Sequence, residues 1–372
     1  MIQIKEAKTK AEMKAFVTFP FELFKNSPNW IPPLISDELN TFNRDENPAF
    51  KTADVKFLLA YKNGKLVGKT TAIVNWDEVH ILKKNKTRFG WFDVIDDIEV
   101  TKALLDEVIA FGKEKGMNHI EGPMGFSNLD KVGALTEGFD KMGNMITWYS
   151  MPYYKEHFLQ LGLQIEKTYI EGDFSFSNID PTPYRRASSL IKKRFKLRST
   201  SFKKTSKVMP YVDKMFDLFN FSYAKLQSFV PINEEQKAYF KKKYISFINP
   251  EYIKFVLDEN DNMVAFSILM PGFAQALKKA NGKLFPFGFY HMLKSKKQSK
   301  EVVFYLIGVL PEYQNKGVTA IIFDEAHAIC KAKGITKCIR TPELEENEAV
   351  HNLWKNFDAK VSKKRSTFIK NI

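Results

Sequence analysis

The chain has 372 residues, 44% of them hydrophobic, enough for about two to three domains with proper cores. No run approaches the ~18 apolar residues of a membrane-spanning helix, and the opening Met1-Ile-Gln-Ile-Lys mixes charge with apolar residues unlike a signal peptide. With only Cys330 and Cys338 present, the expectation is a cytoplasmic protein with two buried free thiols and no transmembrane segment. The net charge of +14 is uneven: residues 1–172 carry 22 basic and 24 acidic side chains, residues 173–372 carry 35 and 19, so a field that favours an anionic ligand belongs to the second half.

Residues 2–8 alternate apolar and polar, a strand pattern, and 10–25 read as a helix burying Met13, Phe16, Val17 and Leu23 or Phe24. Pro28, Pro32 and Pro33 punctuate a turn around Trp30, and 34–42 form a second short helix. Two β-rich runs, 55–61 and 66–76, flank Asn63-Gly64 and predict a hairpin. Residues 89–95 read as a strand, 100–116 as an amphipathic helix, and 119–122 as the start of another strand. The glycine-rich stretch 122–143, with Ser127, Asn128 and Asp130, is expected to be a long loop that closes over a site. A helix over 153–161 and a strand over 163–176 follow. Residues 178–183, with two prolines, read as a linker between domains 1–178 and 184–372.

The order then starts again. Residues 194–202 are strand-like, 210–229 and 233–247 helical, and 251–257 with 263–270 a second hairpin. An inserted stretch, 273–299, is basic and aromatic, suited to lining a substrate channel, touching a membrane surface or packing on the first half. Then come an apolar strand over 302–309, a polar turn over 311–317, and a helix from Val318 with Ile321, Ile322, Ala326, Ile329 and Cys330 on one face and Gly334 as its cap. Residues 337–340 form a strand, 347–357 a helix and 359–369 a closing strand.

One segment repeats at residue level. Val100-Thr-Lys-Ala-Leu-Leu-Asp-Glu-Val-Ile-Ala-Phe-Gly-Lys-Glu-Lys-Gly116 aligns without gaps on Val318-Thr-Ala-Ile-Ile-Phe-Asp-Glu-Ala-His-Ala-Ile-Cys-Lys-Ala-Lys-Gly334, with apolar strands on both sides of each copy. Duplication accounts for both helix and flanks. The turns before the two helices differ. The second has Gln314-Asn-Lys-Gly317, the first Asp96-Asp-Ile-Glu99. A glycine-containing turn feeding a helix start is an anion site, because the first helical amides lack partners and the dipole favours negative charge. Three carboxylates repel an anion and cap the helix instead. Only the second half is therefore expected to take a phosphate.

At this turn the second half resembles the GNAT superfamily of acyl-CoA-dependent acyltransferases. The residues that carry the resemblance are Ile307-Gly-Val-Leu-Pro-Glu-Tyr, then Gln314-Asn-Lys-Gly317-Val-Thr319, against the family's Gln/Arg-x-x-Gly-x-Gly/Ala at a helix start, and the later Asn347-Glu-Ala-Val-His-Asn-Leu-Trp-Lys-Asn-Phe357. Residues 1–175 share only the element order. A tandem of this kind looks like the Fem-type aminoacyltransferases and N-myristoyltransferases. The resemblance implies an α/β (α+β) fold of two tandem GNAT-like domains, each a mixed, mostly antiparallel sheet flanked by helices, with a degenerate first copy.

It also implies acetyl-CoA or another acyl-CoA as cosubstrate and a small-molecule amine or peptide as acceptor. Gln314, Asn315, Lys316, Gly317, Val318 and Thr319 would hold the pyrophosphate, Ile307, Gly308 and Val309 the pantetheine, and Asn347 would contact it further along. A backbone amide near Gly308 or Val309 would polarise the thioester carbonyl. Two positions depart from the pattern: Thr319 replaces the final small residue, and Trp354 stands where the family has its general-acid tyrosine. The base is sought among Glu343, Glu345, Glu346 and His351, with Glu343 first because it follows the strand 337–340; Tyr305 is a further catalytic candidate.

A non-catalytic acyl-CoA-binding or scaffold protein is the rival reading. An aminoacyl-tRNA-dependent transferase is a third, suited to the ten basic and no acidic residues of 185–207, although a solvated face or linker helix suits that run better than nucleic acid. The six histidines show no metal-ligand spacing, and no Ser-His-Asp arrangement is discernible.

Overall fold

In the computed structural model, residues 1–372 are described except 128, 225–228, 246–247 and 355–356, and at 178, 244 and 349–350 the backbone alone is described. The chain begins as its patterning predicts, with β1 (Ile2–Glu6), α1 (Lys10–Leu23), α2 (Ile35–Thr41), and the hairpin β2 (Ala53–Lys62) and β3 (Lys65–Asn75). Thr9 and Glu12 close a reciprocal capping box at the start of α1. Asn63 and Gly64 both take positive φ, which a tight hairpin turn requires. Next come α3 (Trp76–Leu82), β4 (Lys86–Val94), α4 (Ile98–Glu114), β5 (His119–Gly122), β6 (Ala134–Glu137), α5 (Tyr153–Gln160) and β7 (Gln164–Ser175).

The remainder is α6 (Thr182–Arg194), β8 (Arg198–Thr200), α7 (Thr205–Tyr223), α8 (Glu234–Phe240), β9 (Ile253–Leu257), β10 (Met263–Pro271), α9 (Ala274–Ala280), α10 (Gly288–Gln298), β11 (Glu301–Val309), α11 (Thr319–Ala332), β12 (Lys337–Arg340), β13 (Glu343–Leu344), α12 (Glu348–Trp354) and β14 (Lys360–Asn371). Several stretches differ from the sequence reading, α3 among them, which no predicted helix covers. The expected loop 122–143 contains β6, which pairs with β14, and its Asn128 lies outside the described residues. The expected linker runs straight into α6, because a proline in the first turn starts a helix rather than breaking one.

The chain forms two compact units. The first comprises Met1–Ile170, Ala274–Met292 and Ser362–Ile372; the second comprises Glu171–Phe273 and Leu293–Val361. In the first unit the strand order is β1-β2-β3-β4-β5-β14, antiparallel except for the parallel pair β4–β5, with α4 as the crossover between them. Its core packs α4 residues Val100, Leu104, Val108 and Phe111 with Phe89, Phe92, Phe158 and Phe368. In the second unit the order is β12-β11-β10-β9-β8, with the end of β7 beside β12. This sheet is also antiparallel except for one parallel pair, β11–β12, crossed over by α11. Its core packs Val318, Ile322, Phe323, Ala326 and Cys330 with Phe304, Trp354 and Phe357.

The two repeated helices bury the same positions of the alignment, Val100 with Val318, Leu104 with Ile322, Leu105 with Phe323 and Val108 with Ala326. Each sheet is mixed, mostly antiparallel and flanked by helices. Both cysteines are buried and free. No helix of the described residues is long and apolar enough to cross a membrane.

Candidate active site

The site in the second unit starts from an irregularity in β11. Its pairing with β10 slips between Ile268 and Leu269, which face Leu306 and Phe304, so Tyr305 is the extra residue of a β-bulge. On the other edge, β12 accompanies β11 only as far as the Phe304–Arg340 pair. Beyond it the edge of β11 has no strand partner among the described residues. Gly308 sits opposite Phe266, and the Leu310 amide donates to Val264 at 2.9 Å, so these two residues turn their backbone toward β10. Ile307 and Val309 turn theirs outward. Of the two amides expected to polarise a carbonyl, Val309 therefore faces the open edge and Gly308 does not.

Side chains from α7 already reach this edge: the Tyr223 hydroxyl donates to the Ile307 carbonyl at 3.0 Å and the Ser222 hydroxyl to the Val309 carbonyl at 3.1 Å. Neither residue was singled out from the sequence. A tyrosine at the end of a phenylalanine-rich apolar helix face was the only signal.

β11 runs into the polar turn. Gln314 donates from its side-chain amide to Val309 at 3.2 Å, and its backbone amide donates to Leu310. Asn315 and Gly317 both adopt positive φ, 63° and 75°. The positive φ of Gly317 favours glycine here, and a Cβ would also press on Ile191 Cδ1 at 2.8 Å. Val318 precedes α11 with no side-chain cap, and the amides of Gly317 and Val318 have no hydrogen-bond partner among the described residues. The Lys316 ammonium sits 5.0 Å from the Tyr313 ring centroid and 5.5 Å from that of Phe195. Gln314, Asn315, Lys316 and Gly317 are exposed, whereas Val318 is buried and Thr319 half-buried as the first residue of α11.

The equivalent turn of the first unit is closed. Asp97 accepts from the Glu99 amide at 3.1 Å and from Lys62 Nζ at 2.5 Å, placing its own carboxylate at the start of α4. Asp96 lies 3.3 Å from His157 Nε2.

Glu343 stands where the second-unit strands have parted. Arg340 donates to both of its oxygens and the Trp354 indole N–H donates to Oε1 at 2.8 Å. Burial pushes its carboxyl above the usual range, against Arg340 and Trp354, which favour the charged form. Trp354 is 4% exposed and packs edge-on against Phe304 at 5.2 Å between ring centroids. Trp354 thus holds a carboxylate through its indole N–H. Burial, with Glu343 nearby, pushes the Tyr223 hydroxyl up to about 12.

The other sequence candidates are less central. His351 Nε2 lies 2.9 Å from the Glu345 carbonyl and 3.1 Å from that of Leu344, and Glu345 and Glu346 are exposed. Asn347 is half-buried, and its carbonyl accepts from the His351 amide at 3.1 Å. A polar cavity of 460 Å³ in the first unit, lined by Lys83, Lys84, His119 and Glu121 among others, holds none of the expected residues.

No family model matches the chain. It is 27% identical over 316 residues to Protein YghO of Escherichia coli (strain K12), covering 84% of this chain and 80% of the relative. It is 24% identical over 294 residues to a bacterial ceramide synthase of Caulobacter vibrioides (strain NA1000 / CB15N), covering 77% and 74%. Among solved structures, a tandem GNAT protein from the clavulanic acid biosynthesis pathway superposes with a TM-score of 0.60 at 7% identity, covering 100% of this chain and 98% of the other. A GCN5-related N-acetyltransferase from Sphaerobacter thermophilus gives 0.56 at 8% identity, covering 100% and 95%. Two units with one strand order and one repeated crossover helix, matched over their whole length by such structures, give this chain the fold of a tandem GNAT protein.

Proposed function

We propose that the second unit binds an acyl-CoA and passes its acyl group to an amine by direct attack. One observation carries the reading: the edge of β11 that no strand covers among the described residues leads to a glycine turn whose Gly317 and Val318 amides have no partner among the described residues, with the half-buried Glu343 where the strands part. Acyl-CoA fits these groups chemically. Its pyrophosphate suits the Gly317 and Val318 amides, its amide-bearing arm suits a strand edge, and its thioester falls beside the Val309 amide. Glu343 takes the proton of the attacking amine as the new C–N bond forms. Tyr223 gives its proton to the sulfur as the C–S bond breaks. Trp354 and Arg340 hold Glu343 in place. The first unit, with Asp97 closing its turn, takes no phosphate.

Titration calorimetry with acetyl-CoA and longer acyl-CoAs tests the binding step. Wild type is expected to bind and Gly317→Glu to lose binding; a wild type that binds none of them refutes the proposal. Release of free thiol over a panel of amines tests the chemistry, and binding without release would make this a non-catalytic acyl-CoA-binding protein. For the acceptor, the Caulobacter relative's description as a ceramide synthase favours a long-chain, lipid-type amine. A kcat/KM that rises with acceptor chain length would support that choice, and equal values for short and long amines would remove it.

A further inference from the structure

Residues 271–300 carry seven lysines and no acidic residue. Within them, α9 buries Ala274, Ala276, Leu277 and Ala280, and the turn that follows is pinned. The Gly282 carbonyl accepts from the Ile35 amide at 3.0 Å, and Gly282 packs so closely on Phe21 that a Cβ there would lie 2.5 Å from Cζ. Immediately after this anchor the chain turns its apolar side chains outward. Phe285 is 79% exposed, Phe287 72%, Phe289 51% and Tyr290 61%. The tip is held as well, by the Phe289 amide donating to the Leu284 carbonyl at 2.6 Å. Exposed Lys279 and Lys283 precede it, and α10 carries exposed Lys294 and Lys297 beyond it.

We propose that this tip docks on an anionic lipid bilayer. Four large aromatics standing out within six residues have a cost in water that a monomer's surface normally avoids. Exposed aromatic rings flanked in the chain by exposed lysines match a membrane interface, where rings enter the headgroup–acyl boundary and ammonium groups stay with the anionic headgroups. The charge selects the partner: with no carboxylate in the segment, each lysine adds attraction to a negatively charged surface. The rings project from successive positions of a turn and a helix start, so they offer points to insert rather than a groove for a peptide. The inference stands apart from acyl transfer; acyl-CoA binding without vesicle binding would remove only this one.

The test is co-sedimentation of the full chain with phosphatidylcholine vesicles, with and without phosphatidylglycerol. Binding is expected with the anionic lipid and is expected to weaken as salt screens the lysines. Phe285→Ser with Phe287→Ser should lower partitioning by at least about tenfold, and Lys279→Ala and Lys283→Ala by about fivefold each. These side chains are exposed, so thermal melts should be unchanged. A fluorophore on Phe287→Cys should shift to the blue on anionic vesicles, reporting insertion. No vesicle binding, binding indifferent to the phenylalanine pair, or a concentration-dependent dimer abolished by that pair would overturn the proposal. Capture of single-stranded RNA in place of vesicles, by the same residues, would also overturn it.

Discussion

At the scale of single residues, the proposed chemistry depends on how a carboxylate is held. Glu343 sits in an apolar aromatic environment with Arg340 and the Trp354 N–H as partners. A base must be deprotonated to work, and burial raises this one. The acid limb of kcat/KM is therefore expected above the usual carboxylate range, with activity lost as pH falls through it. Glu343→Gln should reduce kcat by about 10²–10⁴-fold with acyl-CoA affinity preserved by calorimetry. Trp354→Phe keeps an aromatic in the cluster but removes a hydrogen bond that favours the charged form, so the acid limb should move to higher pH.

A second carboxyl gives a pH effect on stability instead. Burial pushes Asp93 up to about 6, against its Lys69 partner 3.3 Å away. An unfolded chain releases that proton near pH ~3.9. The folded state thus holds the extra proton between the two values, and this group's contribution to stability falls as pH rises from roughly 4 to 6. Urea midpoints of Asp93→Asn should lack that slope.

The position of Glu343 just after the strand 337–340 was legible in the sequence. The role of Trp354 was not, since its N–H reaches a residue eleven positions earlier only after a turn and α12 fold back. Tyr223 was invisible for the same reason: its partner is 84 residues away.

At the scale of elements, the contrast between the two repeated helices is one of caps. Asp97 supplies its own acceptor at the start of α4, whereas α11 begins at a turn without a side-chain cap among the described residues. Asp97→Ala should destabilise the protein by about 1 kcal/mol in urea titrations. The hairpin and repeated helices were readable because a period of two or of 3.6 marks them directly. The helix α3 was not, and α6 was read only as a solvated face or linker helix within the basic run 185–207. α3 follows β3 without a break, started only by the Asn75 side chain accepting from the Asp77 and Glu78 amides. α6 has a proline in its first turn and a strongly polar sequence, which together resemble a linker. The β11 bulge leaves no mark at all in a run of apolar residues, because strand register is decided by the partner strand.

At the scale of the whole molecule, the composition of the units departs from sequence order. Residues 362–372 belong to the first unit, where Phe368 pairs with Gly122 across β14 and β5. Phe368 is fully buried, its ring 5.0 Å from that of Phe158 between centroids. Phe368→Ala is therefore expected to cost about 3–5 kcal/mol, read by urea denaturation, although it lies far in sequence from the rest of that core. Core composition was legible from hydrophobic patterning. Its assignment to units was not, because a closing strand carries the same alternation whichever sheet it enters.

The placement of β14 has a consequence in time. On a ribosome adding ~5–20 residues per second, β5 emerges well before its partner at Phe368 to Asn371 exists. For on the order of ten seconds or more the nascent first unit has an unpaired strand edge, the state from which chains stick to one another. The β5 edge is covered only after synthesis has passed the second unit.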